Sequence, residues 1–490
     1  MIPLTLAEIA AATGGRPHHA DGTETVTGSV EFDSRRVGPG GLFVALPGER
    51  VDGHDYAATA VAAGAVGVLA AREIDAPSVI VPPAGTAHER SVALTGDTDG
   101  SGAAVLAGLA RLAREVVDRL SGPGGLTVVG VTGSSGKTST KDLIAQVLEP
   151  MGTTVAPPGS FNNELGHPWT VLRADHDTRH LVLEMSARGP GHIRALCDTA
   201  PPRIGVVLNV GSAHLGEFGS REGIAATKGE LPEALPTDGV AVLNADDPLV
   251  AAMAERTTAR VVLVGESEHA QIRAVDVALD DHARATFTLV TPHGERRVRL
   301  ALHGGHHVGN ALSAAAVGLE LGADLDDVAE RLRDARRRSA RRMEVTDRAD
   351  GVTVVNDSYN ANPESVAAAL RTLARMGGDG ERRTWAVLGL MGELGDDGEE
   401  EHERTGRLAA RLGIDRLVAV DEQAGGIQHG ARLEGTDGKE PVLVPDVEAA
   451  IALLDAELRP GDVVLVKASK VAALWRVADA LLEAELEAGA

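Results

Sequence analysis

Cysteine is nearly missing from this chain: Cys197 stands alone among 490 residues. One thiol forms no internal disulfide, which favours a reducing compartment, and a cytoplasmic location is expected. Positive charge is short as well. Lys and Arg number 47 against 71 Asp and Glu, a formal net charge of -24, and such an excess repels nucleic acid and anionic membrane surfaces. Neither is expected as a partner, and an anionic substrate needs local basic sites. Long apolar runs are also lacking. The longest uncharged one, Ala57 to Ala71, is rich in Ala and Gly and shorter than the ~17 residues a membrane span requires; it reads as a buried helix running into a strand, and no membrane span is expected. The amino-terminal MIPLTLAEIAAATGG has neither the basic segment nor the long apolar core of a signal peptide. Aromatics are only 2% of residues beside abundant Ala, Gly, Arg and Asp, a compositional bias that needs no functional cause.

What is present is alternation. Short β-branched runs such as VGVLAA, SVIVP, LTVVGV, HLVLEM, IGVVLNV, VTVVND, WAVLGL and DVVLVKAS recur between helical segments, which implies parallel sheets covered on both faces. The length exceeds what one core fills, and an α/β chain of three domains is expected: a smaller amino-terminal domain with its linker over 1–122, a central domain over 123–334, and a doubly wound, Rossmann-like domain over 335–490. The first boundary rests on the Gly and Pro cluster Ser121 to Gly125, the second on the end of LRDARRRSARRMEV. Ala84 to Gly102 reads as a polar linker. Ile272 to Leu302 alternates as strands do, around a His293-Gly294 turn, and predicts an antiparallel excursion within the middle domain. Most of the run Arg331 to Arg341 reads as a solvated helix face, and Asp396 to Glu403 as a solvated helix start favoured by the helix dipole.

Gly130 to Lys141, GVTGSSGKTSTK, follows the apolar LTVV and precedes DLIAQVLEPM, whose apolar residues fall at helical spacing. Strand, glycine loop and helix follow in that order. A full P-loop has a glycine where Val131 stands, so only the shorter form Gly133-Ser134-Ser135-Gly136-Lys137-Thr138 is present. Its glycines let backbone N–H groups converge on phosphate oxygens, the helix amino terminus adds positive potential, Lys137 supplies charge, and the Thr138 hydroxyl suits magnesium. A Gly-Ser turn capping a helix is the plain alternative. Lysine followed by threonine, between strand and helix, favours nucleotide binding and a central P-loop-type ATPase domain.

This short loop with Thr132 ahead of it resembles that of the Mur ligase family and of folylpolyglutamate synthetases. FDSRRVGPGGLFVALPGERVDGHDY, FNNELGHPWTVL, LEMSARGPGHI, NVGSAHLGEFGSREGIAATKGEL, GGHHVGN, RRMEV, NDSYNANPESVAAAL, LGLMGELG and VKASK follow in the Mur family's order, from about Phe32 to about Lys470. Within the family, NDSYNANP and FNNELG are similar to the branch that joins D-alanyl-D-alanine to UDP-N-acetylmuramoyl-tripeptide in peptidoglycan precursor synthesis. The resemblance implies an ATP-dependent ligase that makes an acyl phosphate and releases ADP and phosphate, working as a monomer. A sister ligase that adds the third amino acid, and a nucleotide-binding regulator without ligase activity, are the competing readings.

The resemblance also implies roles. ATP would meet Thr132, Gly133, Ser134, Ser135, Gly136, Lys137, Thr138 and Ser139, with Asn310 near adenine, His306 at the start of that motif, Arg342 toward phosphate and Asp357 toward ribose. Two Mg2+ sites would draw on Thr138, Glu184, His214 and Lys228, the last as a carbamate formed with carbon dioxide; that reaction needs a neutral amine, which desolvation favours. Catalysis would engage Lys137, Lys228, His214 and Arg342. Ser34, Arg35, Asn162, Asn163, Ser186 and Arg188 would hold the UDP-muramoyl peptide, and Tyr359, Asn360 and Asn362 the incoming dipeptide. Taken alone, a Glu at a strand end is solvated, a single His satisfies a local hydrogen bond and Lys228 is a surface residue. Two positions depart from the family pattern: Leu390 replaces an acidic residue and Ser186 a glycine.

Overall fold

Three large sheets follow one another along the chain, each flanked by its own helices. The computed structural model describes residues 1–48, 51–84, 94, 97–122, 124–212, 215–378, 380–435 and 440–488. Most of the polar connection expected between Ala84 and Gly102 therefore lies outside the described residues, as does His214.

The amino-terminal sheet has five strands in the order Arg16–His18, Ser78–Ile80, Ala65–Ala70, Gly41–Val44 and Val30–Glu31, parallel except at the first pairing. The Ala-rich run forms helix Ala57–Ala62 and then strand Ala65–Ala70, as its pattern predicts. Helix Ser101–Leu120 carries Val105, Leu109, Leu112 and Val116 into an apolar cluster that also contains Leu4, Leu69, Val128, Leu181 and Leu183. The first and second units thus share one continuous core, so burial of a single helix stabilises both.

The central sheet has nine strands: Gly294–His303, Arg284–Thr291, Ile272–Leu279, Arg260–Gly265, Val240–Asn244, Ile204–Val207, Thr127–Thr132, Thr178–Glu184 and Thr153–Val155. Those from Arg260–Gly265 onward in that order are parallel. Ile204–Val207 is buried throughout, as a strand covered on both faces must be. The three strands at the other end pair antiparallel with one another, and Arg284–Thr291 alternates between more and less buried residues as its sequence predicts.

The carboxy-terminal sheet runs Glu344–Asp347, Thr353–Asn356, Val463–Lys467, Thr384–Leu388, Arg416–Val420 and Val442–Val444, parallel beyond its first edge. Separate apolar clusters include Val355, Leu388 and Leu465 in one and Val354, Val387 and Val464 in the other, so alternate residues of each strand serve opposite faces. Helix Gly398–Arg411 opens with Glu399, Glu400 and Glu401 in its first turn.

The arginine run departs from its expected helix face. Helix Leu325–Asp334 stops before most of it. Beyond that end, Arg336 exchanges backbone hydrogen bonds with the Gln146 side-chain amide, both at 2.9 Å. Arg337 pairs with Glu344, and Arg338 reaches Glu149 at 2.5 and 2.6 Å. Arg341 lies 4.3 Å from the Trp475 ring centroid. Most of these partners are distant in sequence and hold the segment as a strap outside any helix, which a local helical period does not register. Among the described residues no helix is long and apolar enough to cross a membrane.

Candidate active site

Strand Thr127–Thr132 lies between Ile204–Val207 and Thr178–Glu184, with Val131 opposite Glu184 and Thr132 opposite Val207. The glycine loop therefore leaves the sheet at its carboxyl edge with a strand end on each side, where open α/β sheets bind ligands. Gly136 has φ +81°, and a Cβ there would lie 2.9 Å from Asn310 Oδ1. Both the left-handed backbone and the close approach require glycine, and helix Lys137–Leu148 begins directly after it. Asn209 props the loop: its carbonyl accepts from Ser134 N at 3.1 Å and its Oδ1 from Ser135 N at 2.9 Å. Thr132 Oγ1 donates to the Met185 carbonyl at 2.9 Å. Lys137 Nζ donates to the Gly133 carbonyl at 2.7 Å, which keeps the ammonium over the loop.

Glu184 is 1% exposed. Its Oε2 accepts from Thr138 Oγ1 at 3.0 Å, and its Oε1 from Ser160 Oγ at 2.9 Å and Asn162 Nδ2 at 2.7 Å. Three neutral donors thus converge on one buried carboxylate. Burial holds the Lys137 amine below the ordinary lysine range, with Glu184 opposing and Arg342 reinforcing that shift. Lys228 closes helix Arg221–Lys228 and is buried rather than on the surface. Desolvation, with a further push from the Lys137 charge, pulls its pKa down to about 7.

The carboxy-terminal unit meets this edge directly. Arg342 Nη2 donates to Thr138 Oγ1 at 3.3 Å, and its guanidinium lies 4.2 Å from the Tyr359 ring centroid. Its buried Nε has no hydrogen-bond acceptor among the described residues. Asn362 caps helix Pro363–Met376 through Oδ1 and donates from Nδ2 to the Ser134 carbonyl at 3.2 Å. Two residues on, Glu364 accepts from Ser212 N at 2.6 Å and Ser212 Oγ at 2.9 Å. A Cβ at Gly211 would collide with that carboxylate, so glycine permits the docking. Asp357 accepts from Met343 N at 3.0 Å and from Lys467 Nζ at 2.6 Å, and Lys467 also donates to the Asn360 carbonyl at 2.9 Å.

Asn310 is buried, with Nδ2 3.3 Å from His307 Nδ1. The His306 and His307 rings pack at 4.3 Å between centroids; burial lowers the His306 pKa while Asp357 opposes the shift. Ser139, His307, Arg342 and Met343 help line a cavity of about 180 Å3 between the nucleotide-loop helix and the strap.

The peptide-side candidates sit on neighbouring loops. Asn163 Oδ1 accepts from Gly166 N at 2.9 Å, starting helix Gly166–Val171, and Ser186 N donates to the Asn162 carbonyl at 3.0 Å. Arg188 Nη2 reaches Glu393 Oε1 of the carboxy-terminal unit at 2.5 Å. Ser34 and Arg35 follow strand Val30–Glu31 of the amino-terminal unit. The exposed Arg35 guanidinium is held by Asp33 at 2.9 and 2.8 Å, and Arg35 in turn lowers the Asp33 pKa to about 2. The segment before them is nonetheless anchored to the central unit, because Trp169 Nε1 donates to the Val30 carbonyl at 2.8 Å and Phe32 packs edge-on to the Trp169 ring.

Sequence reasoning assigned no role to Ser160, Asn209, Glu364 or Lys467. Three of the four sit in motifs that carried the resemblance, Asn209 in NVGSAH, Glu364 in NANPES and Lys467 in VKASK; Ser160 directly precedes FNNELG.

Models for three segments of one family match the chain: "Mur ligase family, catalytic domain" over residues 27–95, "Mur ligase middle domain" over 131–318, and "Mur ligase, glutamate ligase domain" over 341–470. A UDP-N-acetylmuramoyl-tripeptide--D-alanyl-D-alanine ligase of Mycobacterium tuberculosis (strain ATCC 25618 / H37Rv) is 57% identical, covering 98% of each chain. One of the same name from Escherichia coli (strain K12) is 33% identical, covering 99% of each. Among solved structures, a MurF from Acinetobacter baumannii superposes with a TM-score of 0.83 at 29% identity, covering 98% of this chain and 99% of that one. The MurF ligase of Thermotoga maritima in complex with ADP gives 0.76 at 30% identity, covering 95% and 99%.

Proposed function

The chain belongs to the Mur ligase family, and we propose that it joins D-alanyl-D-alanine to UDP-N-acetylmuramoyl-tripeptide, at the cost of one ATP, as a cytoplasmic monomer in peptidoglycan precursor synthesis. The observation that carries this reading is the end-to-end likeness to relatives that bear this activity in their names. The chemistry of the sheet edge supports it.

A carboxylate is a poor acyl electrophile. In the proposed reaction an oxygen of the tripeptide's terminal carboxylate takes the γ-phosphoryl group of ATP, and ADP leaves. The dipeptide amine then attacks the carbonyl carbon, a peptide bond forms, and phosphate and a proton depart. Both reactants of the first step are anionic, so cations must face them. The positions of Lys137 over the glycine loop and of Arg342 against Thr138 support this role. Asn310 beside Gly136 suits the adenine end of the nucleotide, and Asp357 the ribose.

The donor set around Glu184 fits magnesium: a buried carboxylate beside the Thr138 hydroxyl offers hard oxygen ligands. Thr138 and Glu184 would hold one ion, and His214 with Lys228 as a carbamate a second. Bound there, magnesium would neutralise charge on the transferring phosphoryl oxygens. Ser34, Arg35, Asn162, Asn163, Ser186 and Arg188 are proposed to hold the UDP-peptide, and Tyr359, Asn360 and Asn362 the dipeptide.

Isotopic oxygen placed in the tripeptide's terminal carboxylate tests the acyl phosphate. Label is expected in the released phosphate, and its absence overturns the mechanism. Phosphate release that ignores D-alanyl-D-alanine, yet rises with the dipeptide precursor and a diamino acid, overturns the substrate assignment.

A further inference from the structure

Lys141 and Asp142 are an ion pair sealed inside the protein, 0% and 6% exposed, one turn beyond the phosphate loop on helix Lys137–Leu148. Lys141 Nζ donates to Asp142 and, at 2.7 Å, to the Pro157 carbonyl. Asp142 Oδ2 accepts from Ser339 N at 3.1 Å. These two outward bonds lead in different directions. Pro157 lies three residues before Ser160 and five before Asn162, the two donors to Glu184 Oε1. Ser339 lies three residues before Arg342, the guanidinium that meets Thr138. Gln146 further along the helix and Glu149 just past its end grip the same strap through Arg336 and Arg338.

A buried ion pair is a weak source of stability, because desolvation of two charges offsets their attraction; apolar side chains of similar volume serve a core as well or better. Fold stability alone therefore does not account for this pair. What it does is tie three parts together: the helix that carries Lys137 and Thr138, the loop that supplies Ser160 and Asn162, and the strap that delivers Arg342. The geometry points to Lys141–Asp142 as a positioning pair for phosphoryl transfer, registering Arg342 and the Glu184 donors against the nucleotide helix. The inference rests on the ligase reading and extends it to a pair that acts through Arg342 and the Glu184 donors.

The test replaces the pair with apolar residues in the full chain, K141M/D142L, and crosses this with R342K. The double variant is expected to melt within a few degrees of wild type and to keep its KM for ATP, while kcat falls by about a hundredfold, as small misplacements of reacting groups produce. R342K should cost K141M/D142L less than it costs wild type, because the Asp142 arm acts through that arginine while the Lys141 arm acts through the Glu184 donors. A folded K141M/D142L with wild-type kcat overturns the proposal, and so do losses that multiply independently of R342K. Should K141M/D142L fail to fold, D142N enters the same cycle and is judged by the same two outcomes. Wild-type turnover in this assay tests the ligase function separately: its absence would sink that function, whereas differences among the variants decide the role of the pair.

Discussion

Lys467 Nζ lies 2.6 Å from Asp357 Oδ2, both residues buried, and so locks the end of strand Val463–Lys467 to the segment that carries Tyr359, Asn360 and Asn362. Burial pushes the Lys467 pKa down and the Asp357 charge pushes it back up. Lys467→Met leaves a carboxylate without its cation in a dry place, and a loss of about 3–5 kcal/mol is expected. The double variant D357N/K467M should recover most of that stability without recovering turnover. Urea unfolding of the three proteins measures the stabilities and phosphate release the turnover, and a single variant as stable as wild type would show that the pair does not hold this segment.

Lys137 is the one cation on the glycine loop itself, and its ammonium is held over the loop by the Gly133 carbonyl. Lys137→Ala should lower turnover by at least about a hundredfold, the scale on which one group that stabilises transition-state charge acts, with the circular dichroism spectrum unchanged. Turnover near wild type would remove the loop from the chemistry.

The glycine loop, the alternation of strands and helices, and the antiparallel excursion at Ile272 to Leu302 were legible because each has a local signal: glycine spacing, a period of two, or β-branched runs between helices. Glu184 and Thr138 were joined beforehand only as members of one metal set implied by the resemblance; their direct hydrogen bond comes from the parallel register, which brings a strand end 46 residues downstream onto the helix. Most of Arg331 to Arg341 was misread as a solvated helix face, because Gln146, Glu149 and Asp142, which hold the chain beyond Asp334, lie about 190 residues earlier. Lys228 was hidden for a related reason. A lysine on a short polar helix reads as solvated, and tertiary packing alone buries it.

Glu364 Oε1 accepts both hydrogen bonds from Ser212, and its Oε2 is buried without a donor among the described residues. Glu364→Ala removes charge-assisted bonds that hold the last unit against the sheet edge. Since such bonds are worth about 1.5–3 kcal/mol, kcat/KM should fall by roughly tenfold or more. Small-angle scattering of the free protein should show a larger radius of gyration. Unchanged kinetics together with unchanged scattering would mean that this contact does not govern docking.

Lys228 offers a pH signature whose sign is fixed by the direction of its shift. Its pKa is about 7 in the folded protein against 10.5 for an ordinary lysine, so between those values the unfolded chain binds a proton that the folded one does not. Stability from this group therefore rises with pH across that window, and its full penalty is present below about 7. In buffers free of bicarbonate, Lys228→Met should be the more stable protein at the acid end, and its advantage should shrink as the pH approaches 10. The same titration governs chemistry, because only the neutral amine takes up carbon dioxide. Stimulation of turnover by added bicarbonate should thus grow as the pH rises through about 7, and Lys228→Ala should lose turnover and regain part of it with short carboxylic acids that replace the missing carbamate. Full turnover of Lys228→Ala without additives would exclude the carbamate and leave the buried amine as a packing feature of helix Arg221–Lys228.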